Sequence, residues 1–192
     1  DVGSGKTIVS LLIISNVIES GYQCALMGPT EILARQHYEL FKKIFKGTNF
    51  KIDFLTGKTE NKDRKEILAN LENGETNILI GTHALFQKKI IFRKLGLVVI
   101  DEQHKFGVKQ RLELAKKGGE NCDVLLMSAT PIPRTMMMSL YGDMDISKIT
   151  EKPAKRKKII TLSKPEKKIS ELWPFIKKQI NNKNQIFWVC PL

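Results

Sequence analysis

The sequence predicts an α/β protein built on a doubly wound parallel sheet, and three observations lead there. Short, wholly apolar runs, "CALMG", "NILIG", "LVVID" and "VLLMS", recur along the chain and end in small or polar residues. Such runs are strands buried on both faces, as in a parallel sheet. Segments with helical spacing of apolar residues lie between them, as βαβ crossovers require. Lastly, the chain opens on "DVGSGKT", a glycine-rich turn that runs straight into a helical pattern, the arrangement by which such sheets bind phosphate.

Each element can be justified in turn. From Thr7 to Glu19 apolar residues recur at helical spacing, and Gly21 offers a stop. The strand "CALMG" follows, then a second amphipathic helix from Glu31 to Phe45, ended by Gly47. A third helix is expected from Thr59, whose hydroxyl can cap it, to Gly74. After "NILIG" and "LVVID", the stretch "VKQRLELAKKGG" reads as a fourth helix before the strand "VLLMS". The run Met136, Met137, Met138 is read as core or adaptable packing surface.

Beyond "SLYGDMDIS" the texture changes. "TEKPAKRKK", Thr150 to Lys158, is polar, basic and contains Pro153, the character of an exposed linker. "IITL" then reads as a strand. Pro165 to Asn181 reads as a helix with Ile169, Leu172, Trp173, Ile176 and Ile180 on one face and a disturbance at Pro174. "QIFWVCPL" reads as a buried strand. A strand, a helix and a strand cannot close a core, so the expected organisation is a domain over 1–149 without its first strand, a linker over 150–158, and the truncated start of a second α/β domain over 159–192.

Bulk properties narrow the function. With 42% hydrophobic and 27% charged residues over 192 positions, the composition is that of a soluble globular protein. No apolar run approaches the roughly 20 residues of a membrane span, so no membrane partner is expected. A net charge of +12, from 32 Lys and Arg against 20 Asp and Glu, favours polyanions and makes nucleic acid the leading partner. A lysine-rich surface without any binding role stays open on charge alone. Cys24, Cys122 and Cys190 are odd in number and lack metal-ligand spacing, which fits a reduced, cytoplasmic setting. A sequence that opens inside a motif carries no information on N-terminal targeting.

The chemistry-bearing residues sit where the strands end. Gly3, Ser4, Gly5, Lys6 and Thr7 fit the second half of a phosphate loop. Its glycines let backbone N–H groups face phosphate oxygens, its lysine reaches the β and γ phosphates, and its hydroxyl ligates Mg²⁺. A nucleoside triphosphate with Mg²⁺ also needs a carboxylate for the metal and a base to orient water. Asp101 and Glu102, closing the strand "LVVID", supply both; a solvated loop or helix cap is the plainer alternative. Ser128 closes the strand "VLLMS" and Thr130 follows it, where hydroxyls relay the state of a phosphate site or simply form a turn.

As a set, "GSGKT", "GPTEILARQH", "GTHALFQ", "DEQHKFGVKQR" and "SATPIPRT", in this order and at these separations, resemble motifs I, Ia, Ic, II and III of the superfamily 2 helicases. Within them the chain is most similar to the RecG family, ATP-dependent DNA helicases that remodel stalled forks and branched recombination intermediates. The similarity runs the whole length, through "GDMDIS" to "FWVCPL". The transcription-repair coupling translocases share "TPIPRT" but usually carry Asp-Glu-Glu-Gln where this chain has Asp101, Glu102, Gln103 and His104. The primosomal replication-restart helicase does not normally carry "FGVKQR".

The resemblance implies a RecA-like fold for both domains and a role for each matched residue. Lys6 and Thr7 would bind phosphate and Mg²⁺, Asp101 would hold the Mg²⁺, and Glu102 would activate the attacking water of ATP hydrolysis. Gln103 and His104 would sense the γ-phosphate, and Ser128, Ala129 and Thr130 would couple that signal to DNA. Pro29, Thr30, Glu31, Arg35 and Gln36, then Thr56 and Gly57, then Gly81, Thr82 and His83, would lie along the nucleic-acid path. The first glycine of the loop, a wedge domain and motifs V and VI do not occur in the sequence. Their arginine finger is worth about 10³ to 10⁵ in rate in related phosphoryl transfers, so the isolated segment is expected to hydrolyse ATP very slowly, the activity belonging to a parent chain with its remaining domains. A DNA- or nucleotide-binding module without turnover is the rival of another class, and a small-metabolite kinase is disfavoured because motifs Ia, Ic and "SATPIPRT" would have no task in it.

Overall fold

A computed structural model describes residues 3–102, 116–119, 122–130, 145–151 and 159–190. The chain divides into two compact units, Asp1–Pro153 and Ala154–Leu192.

The first unit starts with helix α1 (Lys6–Glu19), strand β1 (Gln23–Met27), helix α2 (Glu31–Ile44) and strand β2 (Ile52–Leu55). Helix α3 (Asn61–Asn73), strand β3 (Ile78–Gly81), a 3₁₀ turn (His83–Phe86), strand β4 (Leu95–Ile100) and strand β5 (Asp123–Leu126) complete it. The five strands form one sheet in the order β2-β3-β1-β4-β5, and every neighbouring pair is parallel. The expected doubly wound sheet is therefore present, with β1 at its centre.

Alternation along the central strands divides the core into two layers. Cys24 and Leu26 of β1 join Ile78, Ile80, Leu97 and Val99 beneath Leu11, Ile14 and Ile18 of α1 and Phe41 of α2. Ala25 and Met27 point the other way, onto Leu71 of α3, Leu85, Ile90 and Phe92. This two-sided burial is why β1, β3 and β4 are buried at every position and why their sequences are apolar without alternation.

Strand β2 was not among the runs read as strands, because "IDFL" is short and carries an acid. Asp53 is accommodated at the sheet edge, where it accepts a hydrogen bond from the Thr76 hydroxyl. Helix α3 starts at Asn61 after Glu60 rather than at Thr59. The Thr59 hydroxyl instead accepts the Thr56 backbone N–H at 3.0 Å, closing the preceding turn. The expected helix over "VKQRLELAKKGG" lies mostly outside the described residues, as do Met136, Met137, Met138 and most of the basic stretch 150–158.

In the second unit the two expected strands are not formed. "IITL" and "QIFWVC" carry no sheet pairing, and Phe187 and Val189 are 87% and 88% exposed. A strand exists only with a partner for its backbone groups, and among the described residues of this unit none is offered. The expected single helix is two pieces, a 3₁₀ helix (Glu166–Glu171) with non-helical backbone at Lys168, and helix α4 (Leu172–Asn181). Pro174 lies in the first turn of α4, where a missing N–H costs nothing, and the anticipated disturbance is the break just before it, where its ring would crowd the Ser170 carbonyl of a continuous helix.

A Cβ at Gly81 would sit 2.1 Å from the Leu55 carbonyl oxygen, whereas one at Gly57 meets nothing within 4 Å. Gly81→Ala should thus destabilise by about 1–3 kcal/mol and Gly57→Ala by no more than about 0.5 kcal/mol, read from chemical denaturation. Burial, with a smaller contribution from Cys122, pushes the Cys24 thiol up to about 12 from its ordinary 9.0. Its thiolate forms more readily in the unfolded chain, which therefore holds fewer protons as pH rises, so stability falls from about pH 9 upward. Cys24 should resist alkylation at pH 8 while exposed Cys190 reacts, as mass spectrometry of labelled peptides would show.

Candidate functional site

Because every strand is parallel, Met27, Leu55, Gly81, Ile100 and Leu126 all end on one edge of the sheet. Helix α1 feeds β1 through only Ser20, Gly21 and Tyr22, so it runs back along the sheet. Its 14 residues span about 21 Å, which brings Lys6 and Thr7 to the carboxyl edge. Gly3 and Gly5 have φ of 76° and 95°, conformations that disfavour a side chain. A Cβ at either meets nothing within 4 Å, so glycine serves the turn and leaves the space in front of it open. The helix has no side-chain N-cap and no acid in its first turn. Its first hydrogen bonds run from Ile8 and Val9 N–H to the Gly5 carbonyl. A helix terminus so built is suited to an anion.

Asp101 follows β4 directly, and its N–H donates to the Met27 carbonyl at 2.9 Å. The Asp101 carboxylate is held on both sides: Oδ1 accepts the Glu102 N–H at 3.0 Å, and Oδ2 lies 2.9 Å from His37 Nε2. Glu102 has φ of 49°, a left-handed conformation uncommon for a residue with a Cβ. The bend it makes follows the end of the strand at Ile100. Among the described residues no cluster of three or more His, Cys, Asp or Glu could hold a metal. A cation here would be held by one or two protein oxygens plus phosphate, which is the habit of Mg²⁺. Gln103 and His104 lie outside the described residues.

The loop after β1 carries the next group of candidates. Gly28 passes so close to α2 that a Cβ would meet the Ala34 nitrogen at 2.8 Å. Pro29 leads to Thr30, whose hydroxyl caps α2 by accepting the Leu33 N–H at 3.3 Å. Glu31 lies 3.2 Å from Lys58 Nζ and 3.9 Å from the Arg35 guanidinium, and that guanidinium stands 4.7 Å over the Phe54 ring. Thr30, Glu31, Ile32, Arg35, Gln36, Glu39 and Lys58 line an open groove of about 720 Å³. A smaller hollow of about 320 Å³ involves Tyr22, Gly96 and Asp123, residues at the opposite, amino ends of the strands and remote from this chemistry.

The remaining candidates differ in accessibility. Thr56 is 4% exposed, and its hydroxyl accepts the Lys58 N–H, so it builds the turn on which exposed Gly57 sits. Gly81 is buried against β2 and Thr82 is 5% exposed, leaving His83 as the exposed member of that trio. Beyond β5, Ser128 and Thr130 hydroxyl oxygens lie 3.0 Å apart, and the Thr130 N–H donates to Ser128 Oγ at 3.2 Å, a local turn spanning Ala129.

A family model described as DEAD/DEAH box helicase matches residues 1–139. The chain belongs to that family. It is 45% identical over its full length to the ATP-dependent DNA helicase RecG of Thermotoga maritima and 46% identical to that of Bacillus subtilis, covering 24% and 28% of them. This helicase-family chain thus spans about a quarter of the length of those relatives. A solved structure of RecG bound to a three-way DNA junction superposes with a TM-score of 0.84 at 41% identity, over 100% of this chain and 26% of that one. A DEAD box protein from Methanococcus jannaschii, at 22% identity over 71% of this chain and 39% of that one, superposes with a TM-score of 0.59 and shares the fold, a RecA-like helicase sheet.

In this helicase-family chain, sequence reading passed over His37, Phe54 and Lys58. The signal for His37 was present: Ala34, His37 and Phe41 are the buried residues of α2, and a histidine among apolar core positions needs a polar partner. Phe54 and Lys58 enter through tertiary contact alone. The strained turn generates a prediction about Glu102. Glu102→Asn, tolerant of left-handed backbone, should be more stable than Glu102→Val, whose branched Cβ disfavours it, by about 1–2 kcal/mol in chemical denaturation.

Proposed function

We propose that this chain is the ATP-driven motor segment of a RecG-type DNA helicase that remodels forked and branched DNA. In this reading 1–149 is the first RecA-like domain, 150–158 a linker and 159–192 the start of the second, completed by the rest of a parent chain. What carries the proposal is that an uncapped helix terminus after a glycine turn, and an Asp101–Glu102 pair, share the carboxyl edge of one parallel sheet in a chain of this family. The names of its relatives point the same way. A cytoplasmic setting belongs to the proposal and is supported by three free cysteines.

ATP with Mg²⁺ would supply the phosphoryl-transfer chemistry. The backbone around Gly3, Ser4 and Gly5 binds phosphate oxygens, and Lys6 orients the β and γ groups. The Thr7 hydroxyl and Asp101 would hold Mg²⁺. Glu102 takes the proton of the attacking water, Gln103 and His104 respond to the γ-phosphate, and Ser128, Ala129 and Thr130 relay that state toward DNA. Nucleic acid runs past Pro29, Thr30, Glu31, Arg35 and Gln36, then Thr56 and Gly57, then Gly81, Thr82 and His83. With Thr56, Gly81 and Thr82 buried, direct contact falls to exposed Thr30, Arg35, Gln36, Gly57 and His83, with half-buried Pro29 and Glu31 beside them. Glu31 holds the Arg35 and Lys58 cations at the groove edge, where phosphates of the strand would compete for them.

In the full-length parent, Lys6→Ala and Glu102→Gln should each lower DNA-stimulated ATPase by about 10²-fold or more and abolish unwinding of a model fork. Full activity of both variants in both assays would refute the proposal.

A further inference from the structure

The contact between His37 and Asp101 links two parts of the molecule that the proposed function treats separately. His37 belongs to α2, the helix whose first turn carries Thr30 and Glu31 and lines the nucleic-acid groove. Its side chain is 8% exposed and Nε2 stands 2.9 Å from Asp101 Oδ2. An ionised carboxylate only accepts, so Nε2 is the protonated nitrogen and donates. Asp101 Oδ1 is occupied by the Glu102 N–H, which leaves rotation of the carboxylate governed by what holds Oδ2. Each oxygen keeps a further lone pair for a cation or its water.

Helix α2 is in turn fastened to the loop before it. The Thr30 hydroxyl caps it, and Gly28 is pressed against Ala34, one turn before His37 on the same buried face. Gly28 N–H donates to the Gly81 carbonyl at 2.9 Å, so the loop cannot move without the end of β3 following. A displacement of the groove-lining turn therefore reaches His37 through one rigid helix.

We propose that His37 is a positioning residue that sets Asp101 Oδ2 from within the DNA-facing helix, so that Mg²⁺ retention at Asp101 responds to nucleic acid on α2. The inference rests on the reading of Asp101 as a cation ligand. It gives a role to a histidine that shares the buried face of α2 with Ala34 and Phe41. Partner residues of this kind typically change metal affinity by about 10- to 100-fold when removed.

The test uses the full-length parent and Mg²⁺-dependent binding of a fluorescent ATP analogue, a readout separate from turnover. His37→Gln places an amide N–H at the reach of Nε2, whereas His37→Asn falls short of it. The Asn variant should raise the Mg²⁺ concentration for half-saturation by about tenfold and lose the response of that midpoint to forked DNA, while the Gln variant keeps both near wild type. If Asn fails to fold, His37→Leu, which fills the same volume without a donor, takes its place with the same expectations. Wild-type midpoints and DNA response in the donor-lacking variant, or equal behaviour of Gln and Asn, would overturn the inference. Asp101→Asn separates the two levels: if it shifts the midpoint and the His37 variants do not, only the positioning role fails; if it shifts nothing, the assignment of Asp101 fails and carries this inference with it.

Discussion

Strand β1 is hydrogen-bonded to β3 on one side and β4 on the other, and it is buried on both faces. That placement constrains everything else. A five-residue strand with both edges paired has no freedom of register, since a slip of one residue would exchange Cys24 and Leu26 with Ala25 and Met27 between two differently shaped core layers. Fixing β1 fixes where Met27 and Ile100 end, and the loops after them carry the candidate residues. The Asp101 N–H to Met27 carbonyl bond and the Met127 N–H to Ile100 carbonyl bond extend that lock past the strand ends.

On this edge the charges are already organised. Asp101 is held between a backbone N–H and His37, and Glu31 gathers Lys58 and Arg35 beside an aromatic ring. The difference between the two arrangements is solvent. The Glu31 pairs are half or more exposed on their cationic side, where such pairs contribute little and exchange readily with a phosphate. The Asp101–His37 pair is mostly buried, where losing either partner leaves a polar group unsatisfied. One set is suited to a mobile polyanion and the other to a fixed cation.

The legible parts of the fold were those with a local cause. Wholly apolar runs marked β1, β3, β4 and β5, and glycines at 21, 47 and 74, each with positive φ, marked turns after helices. Strand β2 escaped because its identity lies in pairing with β3 and its own residues alternate poorly. "QIFWVC" erred in the other direction: its composition suits a strand, but strand formation is a property of two paired segments. Among the candidate residues, the placement of Lys6, Thr7, Asp101 and Glu102 at the sheet's carboxyl edge was legible because glycine turns and acids at strand ends are local patterns. His37 gave a local signal as a polar residue among apolar helix positions, but the partner that explains it lies 64 residues away.

The sequence by itself determined a parallel α/β sheet, the edge at which its loops gather and the residue types offered there, because hydrophobic period and turn chemistry act over a few neighbours. Only the tertiary structure decided the strand order β2-β3-β1-β4-β5, the burial of Thr56, Gly81 and Thr82 beside exposed His83, and the bond from α2 to Asp101. Those depend on which surfaces meet across the sheet, and contact between distant segments leaves no periodic trace in the chain that makes it.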